Sequence, residues 1–169
     1  MKKKIAIIAG GDSSEYEVSL RSAAGIYSFL DHERYDTTIV RMRGNDWQAL
    51  PNINPLQDDL LQAGAPIDKN AFSYIHNGQK HHFDFAYITI HGTPGENGVL
   101  QGYLDMLRIP YSCCGVLAAA LSFNKYACNH YLSGFGIRTA KSILLRAGAP
   151  IPSAQSIVDE VGLPCFIKS

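Results

Sequence analysis

Three side chains in this sequence have types and placements that point to chemistry: Glu15, His91 and Lys125. Glu15 lies just past Lys4-Ile5-Ala6-Ile7-Ile8-Ala9, a continuous apolar run that stops at Gly10-Gly11, the pattern of a strand buried on both faces. His91 follows Phe85-Ala86-Tyr87-Ile88-Thr89-Ile90, a second strand rich in β-branched and aromatic residues, and opens the loop His91 to Gly98. In open α/β sheets the crevice beyond the carboxyl ends of parallel strands is where ligands bind, and both loops leave such ends. A carboxylate at position 15 gains roughly 0.3–1 kcal/mol from the dipole of the helix that follows. It also suits a cationic group such as a substrate ammonium, and both roles stay open. Glu17 reads as a cap, because Ser14-x-x-Glu17 matches a capping box. Of the 6 histidines, His32, His76, His81, His82 and His130 read as structural or solvated, and the strand-end position singles out His91. Lys125 falls in the first turn of a helix capped by Ser122 or Asn124. A cation there opposes the macrodipole unless it meets an anion, and phosphate favours helix N-termini.

Other chemistries are excluded by spacing. Gly10-Gly11-Asp12-Ser13-Ser14-Glu15 is neither the dinucleotide pattern G-x-G-x-x-G nor a P-loop. No G-x-S-x-G elbow surrounds Ser13, Ser14 or Ser19, which sets a serine hydrolase aside. Cys113, Cys114, Cys128 and Cys165 form no C-x-x-C pair and no zinc spacing, and read as small buried thiols in a reducing compartment. Fifteen basic residues balance 15 acidic ones, so the basic excess of a nucleic-acid binder is missing. No apolar run approaches the roughly 20 residues that span a bilayer, and none resembles a secretion signal. The expectation is a cytoplasmic protein with neither nucleic acid nor membrane as partner.

The elements that must position these residues follow from periodicity. The 169 residues, 46% of them hydrophobic, suffice for one core and the start of a second. Ala23, Ile26, Tyr27 and Leu30 give one helix face, and a strand follows at about Thr37 to Arg41, completing a βαβ unit and implying a parallel sheet. Gly44 to His82, broken by Pro51, Pro55 and Pro66, reads as a peripheral insertion carrying a hairpin around Asn77-Gly78. Val99 to Leu107 gives a helix, Ile109-Pro110-Tyr111 a brief strand, Gly115 to Leu121 a short helix, and Asn124 to Phe135 another. Ser142 to Leu145 reads as a strand, Ser153 to Val161 as a helix, and Cys165 to Lys168 as a fresh strand. A buried strand at the end of the chain would lack partners, so the expectation is a fragment cut inside its second domain.

Three ordered signatures resemble the D-alanine–D-alanine ligase family of ATP-grasp enzymes. Gly10-Gly11-x-Ser13-x-Glu15-x-Glu17-Val18-Ser19 is similar to the first. His91-Gly92-x-x-Gly95-Glu96-Asn97-Gly98-x-x-Gln101-Gly102 resembles the second, continued by Ile109-Pro110-Tyr111, Gly115-Val116-Leu117-Ala118 and Ala120-Leu121-Ser122-x-x-Lys125. Gly162-Leu163-Pro164-x-x-Ile167-Lys168 resembles the start of the family's ATP-binding lysine motif. Asn97 departs from the family's frequent aspartate, and Ser169 from its common proline.

The resemblance implies an open parallel-sheet, Rossmann-like α/β domain over residues 1–122, with 44–82 as its insertion, and the truncated beginning of an ATP-grasp domain over 123–169. It implies ATP-dependent joining of two D-alanines for peptidoglycan through an acyl phosphate, with Mg2+ or Mn2+ bridging phosphates. Glu15 would hold the first substrate's ammonium with Val18 packing beside it, His91 would stand near the reacting carboxylate, and Lys125 and Lys168 would contact ATP. The metal-binding acids and the phosphate-binding arginine would lie past Ser169, so the fragment alone would be inactive. A homodimer is the family expectation. A ligase joining D-alanine to D-lactate or D-serine, and a non-catalytic small-ligand domain, are the alternatives.

Overall fold

Ile5 to Gly10 are withdrawn from solvent, with Ala6, Ile7, Ile8 and Ala9 fully buried, as a strand covered on both faces requires. The computed structural model describes residues 2–167. Within it the chain forms two compact units that divide between Ala120 and Leu121.

The first unit opens with β1 (Lys3–Gly10), α1 (Tyr16–Phe29) and β2 (Tyr35–Arg43). β2 lies parallel to β1 and extends beyond the expected Thr37 to Arg41, pairing from Lys3 opposite Tyr35 to Gly10 opposite Met42. The chain then reverses through Gly44-Asn45 into β3 (Asp46–Leu50), which pairs antiparallel with β2, and β4 (Ala65–Pro66) adds to its far side. β4 carries its proline at the sheet edge, where a missing N–H costs the ladder nothing. The hairpin β5 (Ser73–His76) and β6 (Gln79–His82) turns at Asn77-Gly78, with φ of 49° and 74°, the left-handed pair that a two-residue primed turn needs. β7 (Phe85–Ile88) returns to β1 in parallel, giving a five-stranded sheet of order β4-β3-β2-β1-β7. α2 (Val99–Met106) follows, then a single parallel bridge from Tyr111 to Ala86, then α3 (Val116–Phe123), which crosses the division between the units.

The sheet is therefore mixed, parallel at its centre and antiparallel at one side, and its two faces bury separate clusters. Ile5, Ile7, Ala9 and Ile39 meet Leu20 and Ala23 of α1, while Ala6, Ile8, Val40 and Met42 meet Leu100 and Leu104 of α2. This is the period-two alternation of a strand covered on both sides. The second face corrects one expectation. Residues 44–82 are not peripheral, since Ala49, Ile67, Phe72 and Tyr74 sit in that cluster with Phe72 fully buried. The prolines break the segment into short pieces, but each piece delivers an apolar side chain to the sheet.

In the second unit α4 (Lys125–Ser133) begins at Asn124, whose side chain accepts from Ala127 N at 3.0 Å, and α5 (Ala154–Val161) begins at Ser153, which accepts from Ser156 N at 3.2 Å. Both caps do what the residue types dictate. The strands expected at 142–145 and from 165 are absent among the described residues, because no strand of this unit stands beside either segment to pair with. Lys168, the end of the second of these, lies outside the described residues. The thiols also differ from expectation, with Cys113, Cys114 and Cys165 exposed and Cys128 intermediate. Cys113, Cys114 and Cys165 sit on irregular segments and Cys128 on α4, a helix with no buried residues, rather than in the sheet's core.

Candidate functional site

Gly10 ends β1 and His91 follows β7, so adjacent parallel strands release their two loops side by side. The loops are joined directly. Asp12 N donates to Thr93 O at 2.9 Å, and Ser13 Oγ donates to His91 O at 2.8 Å. Gly11 has φ of +94°, and a Cβ there would come within 2.5 Å of Ile90 Cγ2 and 3.1 Å of Thr93 O, so only glycine lets the second loop approach this closely. On the other side Gly11 N donates to Met42 O near the end of β2 at 2.9 Å, and Asp12 Oδ1 accepts from Gly44 N of the β2–β3 turn at 2.6 Å.

Beneath the loops lies a buried hydroxyl network. Ser19, fully buried on α1, accepts from Gly10 N at 2.9 Å and donates to Thr89 O at 2.8 Å. Thr89 Oγ1 in turn donates to Ile8 O at 2.9 Å. These bonds satisfy the backbone groups where the ladder stops, which is why β7 ends at Ile88 rather than at Ile90. They also fix the spacing between α1 and the two strand ends.

Glu15 is the residue preceding α1, exposed, and its side chain makes no capping bond. The expected capping box is not formed. The helix starts one residue later than Ser14-x-x-Glu17 requires, and Ser13 Oγ accepts from Glu15 N at 3.2 Å in its place. Glu17 is left as the acidic residue of the first turn, favoured there by the dipole. The Glu15 carboxylate is thus free of the structural duty that could have explained it. Val18, 39% exposed, lies in the same first turn.

The His91 loop is braced internally. Gly92 N donates to Glu96 Oε2 at 2.6 Å, Asn97 Nδ2 donates to Thr93 Oγ1 at 3.0 Å, and Val99 N donates to Asn97 Oδ1 at 3.3 Å. From α2, the buried Gln101 donates through Nε2 to Gly95 O at 2.6 Å and to Cys113 Sγ at 3.2 Å. Gln101 Oε1 is buried with no partner, an acceptor left open under the loop. His91 itself is half-buried.

Glu15 and His91 therefore stand on two loops bonded to each other, and Val18 lies in the first turn of the helix that follows Glu15. Lys125 is exposed at the start of α4 in the second unit, and Lys168 is not among the described residues. Residue-by-residue reading missed Ser13, Ser19 and Gln101 as supports. Their polar side chains on an otherwise apolar helix face or a glycine loop were the available signal. Among the described residues no three His, Cys, Asp or Glu side chains gather where they could hold a metal ion, so no residue here is assigned to one.

A mixed α/β sheet with paired loops at the carboxyl ends of adjacent parallel strands places this unit in the open-sheet α/β class, in which ligands bind beyond those strand ends. The profile of the family described as D-ala D-ala ligase N-terminus matches residues 4–114, and the chain belongs to that family. It is 58% identical over 168 residues to a D-alanine–D-alanine ligase of Phocaeicola vulgatus, a match covering 99% of this chain and 49% of that protein. The chain spans about half the length of the curated relatives it matches. Among solved structures, the D-alanyl-alanine synthetase A of Vibrio cholerae superposes with a TM-score of 0.67 at 31% identity, over 80% of this chain and 38% of that one. A D-alanine–D-alanine ligase of Bacillus anthracis complexed with ATP gives 0.63 at 25% identity, over 94% and 44%.

Proposed function

We propose that this chain is the leading, substrate-binding half of an ATP-dependent D-alanine–D-alanine ligase of the cytoplasm, acting in cell-wall synthesis as a homodimer. The carrying observation is the direct bonding of the Glu15 loop to the His91 loop at adjacent strand ends, in a chain of this family. On this reading residues 1–122 bind the amino acid and 123–169 begin the ATP-binding domain.

In the proposed reaction the γ-phosphoryl group of ATP passes to a carboxylate oxygen of the first D-alanine, giving an acyl phosphate and ADP. The amine of a second D-alanine attacks the acyl carbon, phosphate leaves with its electron pair, and the nitrogen loses a proton. Glu15 holds the first ammonium, and the pairing of opposite charges fixes the amino acid's orientation. Val18 packs against the small side chain. His91 stands at the carboxylate end, where an N–H donor offsets the negative charge that grows during transfer. Lys125 and Lys168 serve the nucleotide. Mg2+ would supply charge neutralisation between phosphates, held by groups outside the described residues.

The test is a full-length ligase bearing this chain as its leading half. Phosphate release from ATP is expected to require D-alanine and to yield D-alanyl-D-alanine, whereas the 169-residue chain by itself stays at background. ATP turnover in the full-length enzyme that ignores D-alanine would contradict the reading.

A further inference from the structure

At the opposite end of the parallel strands a hollow of about 680 Å³ opens between the start of β2, the turn after β3 and the β5–β6 hairpin. One wall is flat and aromatic. Tyr74 and His81 stack with ring centroids 4.9 Å apart and planes 14° from parallel. Tyr74 is buried and its hydroxyl lies 3.3 Å from Thr38 Oγ1, so the stack is fixed from behind. His76 stands 6.4 Å from His81, and its Nε2 lies 3.1 Å from Asn52 Nδ2.

Two opposite charges line the same hollow. Lys2 donates to His32 O at 2.7 Å, a single bond that leaves two of its three donors, and Asp36 sits at the start of β2. Both are exposed. They do not neutralise each other by contact, since the one side-chain ion pair among the described residues is Lys80 with Asp68 at 3.4 Å. The Asp36 charge is felt at the stack: the Tyr74 phenol is pushed above its ordinary value chiefly by burial, and also by Asp36.

A hollow lined by an aromatic stack, an ammonium and a carboxylate that form no ion pair with each other is complementary to a zwitterion with a ring. We propose that this hollow is a second ligand site, for an amino acid with an aromatic side chain. The ring lies on the His81 face, the ligand carboxylate meets Lys2, and the ligand ammonium meets Asp36. No residue of the site belongs to the loops at the other strand ends, so the proposal is independent of the ligase reading.

Phenylalanine titrated into the 169-residue chain should shift the ring resonances of His76 and His81 saturably in NMR spectra. Phenylpropanoate, which lacks the ammonium, and phenethylamine, which lacks the carboxylate, should each bind about twofold to fivefold more weakly, the worth of one exposed ion pair. Alanine, which lacks the ring, should produce no saturable shift. Asp36→Asn should erase the advantage over phenylpropanoate, and Lys2→Gln the advantage over phenethylamine. The comparison of probes on the unaltered chain stands whether or not the variants fold. Absence of saturation, equal binding of all three aromatic probes, or an advantage that survives both substitutions would overturn the proposal.

Discussion

The two units of this chain achieve order in different ways. In the first, the sheet and its loops are held by side chains distant in sequence: Ser19 bonds to Thr89, Ser13 to the His91 carbonyl, and Phe72 fills the face beneath α2. In the second, α4 and α5 bury no residue and each begins at a local cap, while Phe135 and Ile151 are 69% and 83% exposed. Long-range burial makes a unit respond as a whole to one substitution, whereas a capped, unburied helix responds alone. A crevice that must keep two loops in register is built in the first kind of structure.

Truncating Phe72 should produce the largest effect. Phe72→Ala removes a fully buried ring contacting Phe83, Trp47 and Tyr103, and should cost the first unit about 3–5 kcal/mol in denaturant unfolding. A loss below about 0.5 kcal/mol, the range of surface substitutions, would return residues 44–82 to the periphery. Next comes Ser19→Ala, which leaves the Gly10 N–H and the Thr89 carbonyl without their partner and should cost about 1–3 kcal/mol. Because those groups set the loop spacing, D-alanine use by a full-length ligase should fall with it. Stability lost with D-alanine use intact would separate the network from the site. Ser153→Ala removes a cap bond and should lower the helicity of α5 by about 0.5–2 kcal/mol of local stability while leaving first-unit unfolding unchanged. Equal shifts in both units would break the contrast.

The smallest effect is one of pH. Tyr103, whose hydroxyl donates to Lys69 O at 2.7 Å, has its phenol pushed up to about 12 by burial, with the Asp68 charge adding to the shift. A pKa raised in the folded state means stability that is whole below the unfolded value of about 10 and lost as pH climbs toward the folded value. Tyr103→Phe lacks that loss. Its stability deficit against the parent chain at neutral pH should therefore narrow above about pH 10, and a constant deficit would show that Tyr103 ionises no differently in the two states.

How much of this was legible in the sequence follows the same division. Buried strands and amphipathic helices announce themselves by period, so β1, β2, β7, α1 and α2 were readable, as was the Asn77-Gly78 turn, which depends on adjacent residues. β3 was missed although Gly44-Asn45 is a two-residue turn signal, because the prolines beyond it dominated the reading. The strands expected at 142–145 and after 164 failed for a different reason. A strand is defined by its partner, and an apolar run does not reveal whether one is present. At the candidate site, Glu15 and His91 are singled out by their positions at strand ends alone. The family resemblance brought in Val18, and no local pattern could show that Ser19 and Gln101 reach across 70 and 6 residues to hold the loops.

The central claim is that the exposed, uncapped Glu15 carboxylate grips the ammonium of the first amino acid. Glu15→Gln in a full-length ligase bearing this chain tests it most directly, since the amide keeps the shape and loses the charge. On this account the bound amino acid and the rest of the ligase bury the pair; removing one partner of a buried charge pair costs about 2–5 kcal/mol, so kcat/KM for the first D-alanine should drop about 30-fold to several thousand-fold with the fold intact. An unchanged kcat/KM would take Glu15 out of the site.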